Sequence, residues 1–163
     1  MTGVRTAAES DILALCDLYL EFHEFHAERI PERLCSLAPM WSAEMAGLKG
    51  RLREIMAGGD ADILVAEADG TISGFAEIYL REDQGTSARP AARYCHLQSM
   101  FVTADRRRSG IGRLLLAASE SWARTRGAKE IRLDVWEFDE GPSRFYEKHG
   151  YRPYRRSYVR SLR

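Results

Sequence analysis

Two glycines one residue apart, Gly110 and Gly112, stand between an apolar run (Leu97 to Val102) and an amphipathic run that begins Leu114-Leu115-Leu116. A basic triplet, Arg106-Arg107-Arg108, precedes them. Strand, glycine-containing loop and helix in this order make an anion site. The first helical N–H groups have no acceptor within the helix and lie at the positive end of its dipole. Glycines without a Cβ let the loop take unusual dihedrals and let a ligand come close to the backbone. The stretch therefore predicts a strand–loop–helix unit with a phosphate-bearing ligand at the loop.

Two common phosphate loops are excluded by what is missing. A Walker loop ends in Gly-Lys-Ser/Thr, and no such run occurs. A dinucleotide fingerprint requires a third glycine where Leu115 stands. What remains is Arg107-x-x-Gly110-x-Gly112 after a strand and before a helix.

The rest of the chain supplies the elements such a unit packs against. Val4 to Ala7 suits a short strand. Ile12, Leu15, Cys16, Tyr19, Phe22 and His26 share one face at helical spacing, predicting a helix over 11–27. A second helix fits Ser42 to Ala57, ended by Gly58-Gly59. Asp62–Glu67, the turn signal Asp69-Gly70, and Thr71–Leu80 read as a hairpin. Tyr94 to Val102 forms the strand entering the loop, and Gly110 to Arg126 the helix leaving it, stopped at Gly127. Glu130–Trp136 alternates as a strand. Residues 140–148 suit a short helix ended by Gly150, and Tyr151–Val159 supplies final strand material. The predicted order is β-α-α-β-β-β-α-β-α-β(β), a mixed α/β sheet flanked by helices. No linker or repeat divides it, so residues 1–163 read as one domain.

Charge and cysteine content narrow the function classes. The 24 basic and 24 acidic side chains balance, so no global field draws the chain to nucleic acid or a membrane. Three cysteines without paired spacing suggest neither a disulfide framework nor a zinc site. The N-terminal stretch lacks the apolar core of a signal peptide, and no apolar run reaches spanning length. A cytoplasmic protein is expected.

A second motif lies one helix and one strand downstream: Asp139-Glu140-Gly141-Pro142-Ser143-Arg144-Phe145-Tyr146-Glu147-Lys148-His149-Gly150-Tyr151. With the glycine loop, it resembles the GNAT superfamily of acyl-CoA-dependent N-acetyltransferases. The family's loop reads Arg/Gln-x-x-Gly-x-Gly/Ala. Its downstream motif commonly reads Asn-x-x-Ala-x-x-Phe-Tyr-x-Lys-x-Gly-Phe. Phe145, Tyr146, Lys148 and Gly150 match, and Tyr151 replaces Phe. Asp139 stands where Asn is usual, and Pro142 where Ala is usual; a proline at a helix start is well tolerated. An ionised Asp139 can accept a hydrogen bond from the cofactor arm but cannot donate one.

The resemblance implies acetyl-CoA as cosubstrate. The backbone from Arg107 through Arg108, Ser109, Gly110, Ile111 and Gly112 to Arg113 would hold the pyrophosphate, with Arg107 and Arg108 adding charge. Met100, Phe101 and Val102 would bind the pantetheine arm, and an N–H near Met100 or Phe101 would polarise the acetyl carbonyl. Tyr146 occupies the family's general-acid position, where a phenol stays protonated at neutral pH and can protonate a thiolate. Two candidates for the base remain open. His96 carries a side chain type that titrates near neutral pH, and Glu77 lies on the preceding strand. His23, Glu24 and His26 show no evident third ligand for a metal beside Phe22 and Phe25, which mark a packing face; none is expected. Tyr19, Phe22, His23, Trp41, Glu77, Trp136 and Tyr154 are candidates for the acceptor wall. The acceptor implied is a primary amine, a small molecule such as an aminoglycoside, polyamine or amino-acid derivative. Protein acetylation and a non-catalytic acyl-CoA sensor are the alternatives. A homodimer is common in the family.

Overall fold

The computed structural model describes residues 2–162. Five strands form one sheet in chain order: β1 (Gly3–Thr6), β2 (Ala61–Ala68), β3 (Thr71–Asp83), β4 (Ala92–Val102) and β5 (Ile131–Arg132). The first four pair antiparallel, and β5 runs parallel to β4. The β2–β3 hairpin closes on Asp69 and Gly70, both at positive φ (53° and 76°), the geometry a tight hairpin turn demands.

Helices α1 (Ile12–Ala27) and α2 (Trp41–Ala57) cover one face, and α3 (Ile111–Thr125) covers the other with α4 (Ser143–Lys148). Strand alternation builds both cores at once. Ile63 and Val65 of β2 and Phe75 of β3 pack under α1 and α2. Leu64, Ala66, Ala76 and Ile78 pack under α3 with Leu115, Leu116 and Trp122. Cys16 and Cys95 are buried and Cys35 is exposed, all as free thiols.

One irregularity positions the site. Glu77 pairs with Ser99 and the next residue, Ile78, pairs with Leu97, so Gln98 is an extra residue in β4. Such a bulge bends its strand and raises the local twist. Pairing between β4 and β5 is confined to Cys95 with Ile131 and His96 with Arg132, just before the bulge.

Two sequence expectations are corrected here. The strand expected over 130–136 is only Ile131–Arg132, because past the bulge β4 and Leu133–Val135 are separated by a cleft that both line. The strand material expected over 151–159 carries no strand hydrogen bonding. That segment contains Pro153, which lacks an N–H and so cannot donate to a ladder, and several arginines. Tyr154, Tyr158 and Val159 are accordingly 79%, 87% and 75% exposed.

Candidate active site

Where β4 and β5 part, a cleft of about 1080 Å³ opens between Leu97–Val102 and Leu133–Trp136. The loop before α3 closes one end, α4 one side, and the last turns of α1 the other side.

The loop end is built for an anion. Gly110 takes φ 91° at the start of α3, and a Cβ on it would meet nothing within 4 Å, so its backbone faces open space. The first α-helical bond there is Leu114 N–H to Gly110 O, at 3.1 Å. The N–H groups of Ile111, Gly112 and Arg113 precede it and have no acceptor within the helix. Arg106, Arg108 and Arg113 line the same end. Arg107 also lines it, but its Nε donates to the Val102 carbonyl at 3.2 Å and its guanidinium stacks 4.4 Å from the Phe25 ring centre. Ser109 and Ile111 shape the loop from within: Ser109 Oγ donates to the Arg106 carbonyl, and Ile111 is buried in the α3 core.

Along the cleft, Met100, Phe101 and Val102 form the β4 wall. Tyr146 lines the cleft from α4, packed between Phe145 and Tyr151 (ring centres 5.2 and 5.7 Å away). Its hydroxyl has no hydrogen-bond partner among the described residues, and burial pushes its phenol up to about 12. Asp139 is exposed and stands outside the cleft wall, whereas its neighbour Glu140, at φ 57°, lines it.

The two base candidates part company. His96 lines the cleft at its narrow end, beside the last β4–β5 pair. Glu77 does not line it. Its side chain is fully buried under α1 and α2, where it accepts hydrogen bonds from Tyr19 (2.5 Å), Tyr79 (2.5 Å) and Arg51 (2.8 Å). Burial first, then the Glu77 charge, holds the Tyr19 phenol well above its ordinary range.

Of the acceptor-wall candidates, Phe22 and Trp136 line the cleft, while Tyr19, His23, Trp41 and Tyr154 do not. The His23–Glu24–His26 group disperses. His23 contacts the Cys35 carbonyl, Glu24 accepts from the Leu37 and Ala38 amides, and His26 Nδ1 bonds the Phe22 carbonyl. His26 nevertheless lines the cleft, a placement the sequence reading missed. Its only signal was a place on the same helical face as Phe22.

Residues 14–151 match the Acetyltransferase (GNAT) family. The chain belongs to that family. It is 26% identical over 149 residues to the uncharacterized N-acetyltransferase YhfO of Bacillus subtilis, covering 91% of this chain and 89% of YhfO. It is 40% identical over 76 residues to an aminoglycoside N(6')-acetyltransferase type 1 of Stenotrophomonas maltophilia, a match spanning 45% of this chain and 48% of that enzyme. Among solved structures, a tetramutant of the BH1408 protein of Bacillus halodurans superposes with a TM-score of 0.87 at 24% identity, over 98% of this chain and 99% of that one. AAC(6')-Iy, in complex with the bisubstrate analogue CoA-S-monomethyl-acetylneamine, superposes with a TM-score of 0.73 at 18% identity, over 100% and 99% of the two chains. These likenesses carry the fold, and the family match makes this GNAT protein an acetyltransferase.

Proposed function

We propose that this GNAT protein moves an acetyl group from acetyl-CoA to a primary amine of a small molecule, with both substrates held in the cleft at once. The observation that carries the reading is the parting of β4 from β5 at the Gln98 bulge. It leaves the Met100–Val102 backbone facing a gap with an anion-binding loop at one end and the Tyr146 hydroxyl in its wall.

The residues fit acetyl-CoA. The amides of Ile111, Gly112 and Arg113, with Arg106 and Arg108, suit the pyrophosphate, and the open space over Gly110 leaves room for it. When bound, acetyl-CoA supplies a thioester carbonyl. A β4 amide near Met100 or Phe101 polarises that carbonyl, and Tyr146 donates its proton to the departing sulfur. Tyr146 suits the second task because burial keeps its phenol protonated. No nucleophilic elbow of the Gly-x-Ser-x-Gly kind occurs in the sequence, and Cys95 is buried with its thiol pushed up to about 11, which favours direct transfer over an acyl-enzyme. Similarity to an aminoglycoside N(6')-acetyltransferase and to AAC(6')-Iy supports a small-molecule amine as acceptor.

A thermal-shift series with acetyl-CoA, coenzyme A, ATP and buffer is the first test. Ligand at about 100 times its dissociation constant stabilises by about 2.7 kcal/mol, several degrees at this chain length. Both coenzyme A forms should raise Tm and ATP should not. Thiol release that depends on an added amine then separates a transferase from a sensor, and aminoglycosides should be screened first.

A further inference from the structure

We propose that His26, at the end of α1, accepts the proton that the attacking amine sheds. This rests on the transferase reading above, and it places the base on the helix facing the strands rather than on the strands themselves.

The tautomer is set by a single contact. His26 Nδ1 lies 2.8 Å from the Phe22 carbonyl oxygen, which can only accept, so Nδ1 carries the hydrogen. In the neutral ring the lone pair is then on Nε2, which has no partner among the described residues. Phe22, Phe25 and Phe138 hold the ring edge-on, with centres 4.6, 5.3 and 6.0 Å away. Phe22 and Phe25 also pack on Phe101 of β4, so the imidazole stands on the cleft side of the strand that carries the carbonyl-polarising amide. His96, by contrast, lies at the narrow end, where β4 and β5 are still paired.

Half-burial holds His26 below the ordinary imidazole value, so it is neutral at pH 7. His23 on α1 and Arg29 just after it act on it directly, and Arg107 stacks on the Phe25 ring that it also meets. The other charged and titratable groups lining the same cleft are Arg106, Arg108 and Arg113 at the loop, His96 on β4, Asp134 and Glu140 beyond β5, and Tyr146, Lys148 and His149 at α4. In the step, the neutral amine nitrogen bonds the acetyl carbon and the carbon–sulfur bond breaks. The nitrogen's proton passes to His26 Nε2, and the sulfur takes the Tyr146 proton. Both side chains then re-equilibrate with water.

The test uses His26→Asn, whose side-chain amide still donates to the Phe22 carbonyl but offers no ring lone pair, with His96→Asn beside it. Imidazole nitrogen NMR of the ligand-free wild type should show the Nδ1–H tautomer and titration below pH 6.5. Thiol release is followed with neamine, spermidine, tyramine and water as acceptors, while acetyl-CoA binding is measured by calorimetry. His26→Asn should keep acetyl-CoA affinity within about twofold and lose about 10²-fold in kcat/KM. Wild-type kcat/KM should fall about tenfold per pH unit where only the amine protonates, and about 10²-fold per unit once His26 protonates too; the variant should keep the shallower slope. An Nε2–H tautomer, or His26→Asn turnover within about twofold of wild type, overturns the assignment and leaves the transferase reading standing. Wild type that binds acetyl-CoA but releases no thiol with any acceptor overturns both.

Discussion

Gly112 and Phe145 touch because Gly112 has no side chain: a Cβ there would lie 3.2 Å from Phe145 Cζ and 3.3 Å from Cε2. The second residue of α3 is thus fitted to α4, and the glycine loop and the Phe145-Tyr146 pair form one assembly. Phe145 and Tyr146 are adjacent, so the ring that meets Gly112 also sets where the Tyr146 hydroxyl sits.

Gly112→Ala tests that coupling. Alanine favours the helix by up to about 1 kcal/mol, while the Phe145 ring must give by a few tenths of an ångström. The two effects oppose, so Tm should stay within about 3 °C of wild type. Coenzyme A affinity, measured by calorimetry, should nevertheless fall several-fold, because the displaced ring borders the cleft. Unchanged affinity would show the two motifs to be independent.

Tyr146→Phe keeps the packing against Phe145 and Tyr151 and removes the hydroxyl. Turnover should fall about 10²-fold with coenzyme A affinity kept within about twofold. With its phenol pushed up to about 12, Tyr146 remains a proton donor throughout the assay range, so any basic limb of the wild-type rate profile below about pH 10 belongs to another group. Wild-type turnover in the variant would remove Tyr146 from the chemistry.

Glu77→Gln separates the buried cluster from the cleft. The amide cannot replace the carboxylate as acceptor for Tyr19, Tyr79 and Arg51 together. Because Arg51 is 45% exposed it can regain water, which limits the loss to about 2 kcal/mol, or about 4–8 °C in Tm. Coenzyme A binding should be unaffected. A thermal melt and a binding isotherm on the same sample decide the matter.

Acid sensitivity should trace in part to Asp11. Arg5 donates to it at 2.6 and 3.0 Å, and the Ala8 amide donates at 2.7 Å. The Arg5 bonds hold this carboxyl below the usual range. A depressed folded value means that the stabilisation is complete above the unfolded value, near 4, and is lost as pH falls through the folded one. Asp11→Asn should therefore cost about 1 kcal/mol at pH 7, and its deficit against wild type should shrink as the pH drops below about 4.

Much of this arrangement is legible from residues that act locally. The face shared by Ile12, Leu15, Cys16 and Tyr19 located α1, and Asp69-Gly70 located the hairpin, because each depends only on neighbours a turn or less away. Gly110 was legible for the same reason: its positive φ is a property of one residue. Three features were not. The length of β5 depends on a bulge more than thirty positions earlier. Glu77 reads as an exposed strand charge until Tyr19 and Arg51, on two separate helices, are brought over it. His26 reads as one more residue on the face of Phe22 until the cleft is seen to open at the end of its helix.

The extra residue in β4 has a consequence for the chain's tolerance to change. Ser99, Met100 and Phe101 face the same sides they would face if Gln98 were deleted and Leu97 led directly into a regular ladder. Both cores would keep every residue they now contain. A chain one residue shorter would thus keep the sidedness of β4 while losing the irregularity at which β4 leaves β5. Gln98 itself is exposed and faces the cleft, so the register assigns it to the gap between the strands and to neither core.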